Sequence, residues 1–134
     1  MQHIESPDRS DPGIERQIVA KGKTAPRVTP ADIQDAIESV WYFTAYQGAR
    51  HELQSDGVEA TAGEERLLAP LKLLTFCVLV LRNGFTVTGE SACASPENFD
   101  AEIGCNVARA AAEQKLWPLL GYELKSKLAE VNKA

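Results

Sequence analysis

The chain has 134 residues, enough for one domain, and its 44% hydrophobic and 25% charged content is that of an ordinary globular protein. A formal net charge of −5 argues against binding nucleic acid through its backbone, which needs clustered Lys and Arg. No apolar run approaches the roughly 18 residues of a membrane span. The three cysteines form no CxxC pair and there are only two histidines, so no zinc ligand set is legible and no cofactor is expected. The odd cysteine count and the lack of a signal peptide point to a reducing cytoplasm.

Residues 1–27 are polar, carry three prolines and show no sustained apolar period, which predicts a mobile arm; Ile14, Ile18 and Val19 suffice for a short helical turn. The first firm element begins at "TPADIQDAIES". Thr29 is a good N-cap, Pro30 fits the first helical position, and Asp32 completes a variant capping box. Ile33, Ala36, Ile37 and Val40 follow helical spacing, so a helix is expected near 30–39. "VWYFTAY" (40–46) either prolongs that helix or opens a strand. Aromatics at 41, 42 and 43 would encircle a helix, which favours the strand.

Residues 47–70 hold three glycines and many polar side chains, and read as a long loop: a flexible excursion, a lid or a tolerated insertion. A β-hairpin follows. Asn83-Gly84 suits a two-residue type I′ turn, which would set Val80 opposite Val87, Leu79 opposite Thr88 and Cys77 opposite Glu90. The strand near 73–82 is apolar on both faces, as central, twice-covered strands are. The strand at 85–91 alternates, with Thr86, Thr88 and Glu90 in one wet row. With "WYFTAY" as the third member, a three-stranded antiparallel sheet results.

A longer helix is expected at 96–117. Ser95 would cap it, with Asn98 as an alternative start, and Pro118 would end it. Phe99, Ile103, Val107, Ala110 and Ala111 would cover the sheet, with Leu116 or Trp117 closing the stripe, while Gly104 allows close approach of another backbone. "LLGYEL" is expected to pack back as an extended segment, and residues 125–134 read as a charged tail with room for a last helical turn or two. The fold class is therefore α+β: a small antiparallel sheet packed by two helices, in one domain over 28–124.

Candidate chemistry is sparse. Glu90 and Asp100 could pair as acid and base, but helix-start acids have a structural role already. Ser91 and Cys93 lack a histidine unless the loop brings in His51, and "GES" is not a GxSxG elbow. No P-loop or GxGxxG occurs. Arg109 lies among alanines, able to reach a phosphate or to pair with Glu113 one turn on. Phe85 and Phe99 are core residues or base-stacking rings. The expectation is a protein that is not an enzyme.

"LTFCVLVLRNGFTVTGESACASPENFDAEIG" and "KLWPLLGYEL" resemble the diagnostic segment of a family of small phage and prophage proteins, the gene 49 / gene 66 type. The likeness covers about 74–124, with a looser match at "VTPADIQDAI" and "YFTA". More distantly, the hairpin and capping helix look like those of phage Thoeris anti-defence sponges. That likeness implies a homo-oligomer that sequesters a cyclic nucleotide or cyclic ADP-ribose-type signal. It would give Arg109 to phosphate, Phe85 or Phe99 to base stacking, and Ser91 and Asn98 to hydrogen bonding. The opposing class is a protein-interaction module acting on a host or phage protein.

Overall fold

The computed structural model describes residues 8–133 apart from 56, 58 and 60. The described residues fall into two compact units. One is Ala36–Leu116; the other combines the segment up to Asp35 with the segment from Trp117 onward.

In the second of these, helix α1 (Asp11–Ala20) is capped by Ser10, whose hydroxyl accepts from the Gly13 amide, and it occupies the expected arm. Arg27 reaches back to Glu15 with two hydrogen bonds, of 2.7 and 2.5 Å, and these hold that carboxyl below its usual range. Helix α2 (Pro30–Asp35) starts on the expected capping box. The Asp32 amide donates to the Thr29 hydroxyl at 3.2 Å and the Thr29 amide to the Asp32 carboxylate at 2.8 Å. Thr29→Ala should cost about 1 kcal/mol in a urea titration, the usual weight of such a cap.

The other unit is built on a three-stranded antiparallel sheet, β1 (Ile37–Thr44), β2 (Leu74–Leu81) and β3 (Thr86–Ala92), with β2 in the centre. The aromatic run is thus a strand, and α2 is shorter than expected because β1 takes over at Ile37. Glu38 occupies an irregularity between Ile37 and Ser39, where the register with β2 shifts. Its carboxylate accepts from Arg82 at 2.8 Å.

The hairpin differs from expectation by one residue. Gly84 alone in the turn has positive φ, at +88°, so the type I′ turn, which needs positive φ at Asn83 too, is not formed. Instead Leu81 donates to the Phe85 carbonyl, and the Gly84 amide to Leu81, closing a three-residue loop. The Asn83 side chain accepts from the Phe85 amide at 3.0 Å. Leu79 now faces Val87, Cys77 faces Gly89 and Phe76 faces Glu90. A shift of one residue exchanges partners across the pleat. The wet row Thr86, Thr88, Glu90 therefore shares a face with Val80, Val78 and Phe76. Cys77, Leu79, Leu81 and Val87 turn to the buried inner face.

That inner face is covered by α5 (Ala101–Val131), which begins later than expected and runs on through "LLGYEL" and into the expected tail. Ser95-Pro96 opens only a 3-10 turn, Pro96–Asn98, and Asp100 caps the helix proper by accepting from the Ile103 amide at 2.9 Å. Pro118 lies inside the helix rather than ending it. The residue is exposed, so the Gln114 carbonyl it leaves without an amide can turn to water. The buried stripe ends on Leu116 as expected but otherwise differs: it runs through Gly104, Ala108 and Ala112, whereas Ile103 is 62% and Val107 49% exposed. Small residues win this face because the helix lies almost on the strand. A Cβ at Gly89 would fall on the Ala108 carbonyl oxygen and the Ala112 amide nitrogen, and 2.9 Å from the Ala112 Cα.

The expected loop at 47–70 contains two helices. α3 (Ala45–Ser55) follows β1 directly, and α4 (Ala62–Leu68) precedes a 3-10 turn, Ala69–Leu73, that leads into β2. Both begin on reciprocal capping boxes, Thr44 with Gln47 and Thr61 with Glu64. Glu65 ties the two together, accepting from the Tyr46 hydroxyl at 3.0 Å and from Arg50 at 2.6 Å. Lys72 stands 4.7 Å above the Tyr46 ring.

Candidate functional site

α5 crosses β2 and β3, touching Thr75 at Gly104 and Gly89 at Ala108 and Ala112. The inner face of β1 near its end is left partly uncovered, and a cleft of about 200 Å³ opens there. Its walls are Tyr42, Phe43 and Thr44 of β1, Gln47 of α3, Thr75 of β2, then Phe99, Ala101 and Cys105. Gln47 is fixed in this wall because its side-chain oxygen caps the Thr44 amide.

Two features give the cleft chemical character. Thr75 is 3% exposed and its hydroxyl has no hydrogen-bond partner among the described residues. A buried hydroxyl left unbonded is unfavourable by about 1–3 kcal/mol. One turn beyond Cys105, Arg109 donates to Glu113 at 2.7 Å and is also hydrogen-bonded with Tyr42, which lines the cleft. The bond to Glu113 foremost raises the Arg109 pKa still further, so the group is a permanent cation. Cys77, beneath this cluster, is fully buried, and burial pushes its thiol pKa up.

The five ligand residues named from the sequence do not converge. Phe99 lines the cleft and Arg109 borders it through Tyr42. Ser91 pairs with Thr75 across the sheet and is half-buried. Asn98 is exposed at the end of its 3-10 turn. Phe85 is 57% exposed at the hairpin tip, at the other end of the strands from Thr75. Leu81 lies six positions along β2 from Thr75, about 20 Å of strand. Glu90 and Asp100 are not an acid–base pair either: Glu90 accepts from Thr88 on the outer face, and Asp100 caps α5 on the inner side.

Tyr42, Phe43 and Gln47 escaped sequence reasoning. The T-x-x-Q spacing of Thr44 and Gln47 is a legible helix start. It would have placed a helix right after the aromatic strand and brought Gln47 beside Tyr42.

A small α+β protein with one uncovered sheet face and an aromatic-walled cleft is the class that this geometry defines. The chain belongs to the phage protein family of N4 Gp49 and phage Sf6 gene 66, whose model matches residues 28–128. Comparisons with curated proteins and with solved structures return no match. No helix among the described residues is long and apolar enough to cross a membrane.

Proposed function

We propose that this phage-family protein is a non-catalytic binder that takes up a small nucleotide-type signal in the cleft beside β1 and sequesters it in the host cytoplasm. The observation that carries this reading is the cleft between Tyr42 and Phe99, with the unpartnered Thr75 hydroxyl buried at its base against Gly104. The cleft holds about 200 Å³, below the roughly 300–1,000 Å³ of drug-sized sites. A single heteroaromatic ring fits, with the rest of the ligand across the mouth toward Tyr42 and Arg109. A phosphate there competes with Glu113 for the guanidinium. Sequestration acts through affinity and abundance and requires no general acid, nucleophile or metal.

Thermal-shift measurements against cyclic nucleotides and cyclic ADP-ribose isomers test the reading. The expected result is a shift with at least one, and recovery of intact ligand after denaturation; chemically altered ligand would mean an enzyme. Thr75→Val should leave the ligand-free protein as stable or slightly more so, because it removes an unbonded buried hydroxyl. The same variant should lose at least about tenfold in affinity, the weight of one lost hydrogen bond. Unchanged affinity in both Thr75→Val and Arg109→Ala would remove the cleft as the site.

A second reading, an interaction module acting on a host or phage protein without a small-molecule ligand, draws on exposed Leu119, Tyr122 and Val131 on the later half of α5. It requires that Tyr122→Ser lose a partner which the native chain retains through purification.

A further inference from the structure

The outer face of the sheet is a continuous apolar surface of the 36–116 unit. Trp41, 62% exposed, and Phe43, 40% exposed, project from β1 beside half-buried Leu74, Phe76, Val78 and Val80 of β2. Their order is set by the ladder: Trp41 is opposite Val78, and Phe43 opposite Phe76 with ring centroids 5.6 Å apart. The Trp41 indole nitrogen donates to Ser39 on the same face at 3.0 Å.

The two sides of the sheet are closed to different degrees. Inside, α5 meets the sheet through Gly104, Ala108, Ala112, Gly89 and Thr75. Outside lie a tryptophan, two phenylalanines, a leucine and two valines. A central strand apolar on both faces is ordinarily covered on both, and α5 covers only one face of β2.

We propose that this outer face is closed by a second copy of the same chain, two sheets stacking face to face about a two-fold axis. The arrangement of charge fits an identical partner. No outer-facing position of β1 or β2 is charged. Polar groups begin at the margins, with Thr86, Thr88 and Glu90 on β3 and the Arg82–Glu38 pair beside the turn. An apolar centre free of charge inside a polar rim is the anatomy of homodimer interfaces, whereas partners that also exist apart keep more polar contact surfaces. With Trp41 62% and Phe43 40% exposed and the β2 residues half-buried, the apolar centre offers on the order of 400 Å² per copy, and the polar margin supplies the rest of the roughly 800 Å² that a standard interface uses per partner. Sheets packed this way lie about 10 Å apart with strands about 30° from parallel.

Light scattering and sedimentation of the full chain over a wide concentration range test the proposal. The native protein should run at twice 14.6 kDa. Trp41→Lys and Thr88→Arg each place a cation on the outer face at an exposed position, so both should keep the native circular dichroism. Each should weaken association at least about 100-fold. Ile103→Lys, on the exposed side of α5, should leave the dimer intact. A native chain that is monomeric throughout overturns the proposal, as does a dimer that survives both outer-face variants or is lost only in Ile103→Lys.

Discussion

Gly89→Ala is expected to destabilise the protein by at least about 3 kcal/mol, and Gly89→Val to prevent folding. The cause is local and steric. The added methyl would occupy the place of the Ala108 carbonyl oxygen and the Ala112 amide. Those atoms belong to the helix backbone, which cannot rotate aside as a side chain can. Accommodation requires α5 to lift off β3 and open the contact around Ala108, Ala112 and Leu116, all fully buried. Overpacking a tight core usually costs about 1–3 kcal/mol, and a backbone obstacle belongs at or beyond the upper end. Urea denaturation followed by circular dichroism reads the effect directly. A loss under about 1 kcal/mol would mean that the helix does not lie on the strand at Gly89.

Leu116→Ala is expected to cost about 2–5 kcal/mol, the range for a fully buried leucine, while Val107→Ala should cost under about 1 kcal/mol. Both residues belong to α5, and both are large and apolar. They differ in which way the helix turns them, since Leu116 has no exposure and Val107 is half in solvent. The pair therefore measures the rotation of α5 about its own axis. The opposite ranking would restore the face expected from hydrophobicity alone. Paired urea titrations on the two variants decide between the two orientations.

That rotation shows where sequence reasoning was informative and where it was not. The three strands were legible because β-branched and aromatic runs, an Asn-Gly pair and an alternating row each carry a local signal. The α+β class followed from them. The register was not legible, because β2 is apolar at nearly every position and gives no preference for one face. Asn83-Gly84 serves a two-residue loop and a three-residue loop equally well. The helix face was misjudged because size was taken as a guide to burial. Where a helix approaches a strand at backbone distance, Gly104, Ala108 and Ala112 fit and Ile103 and Val107 do not. Pro118 misled because a stop rule is only a cost, and a cost can be carried where water reaches the freed carbonyl.

Of the candidate site, Phe99 was visible as an aromatic near a helix start. Arg109 was visible as a cation with Glu113 in reach, and the structure joins those two. Phe85 was not separable from Phe99 by sequence, since their distance depends on the length of the sheet. Tyr42 and Gln47 come together only because a capping box turns β1 directly into α3.

The irregularity at Glu38 has a consequence for how the molecule can grow. A three-stranded open sheet has two unpaired rims, each able to recruit another strand and so to begin a fibre. β1 carries the more hazardous sequence, with three consecutive aromatics. Its start is broken where the register shifts between Ile37 and Ser39, and its end turns at once into a helix. β3 presents Gly89 and Glu90 along its rim, a weak strand former beside a charge. Lateral extension of the sheet is therefore blunted on both sides, which protects a chain with so much aromatic surface against polymerisation.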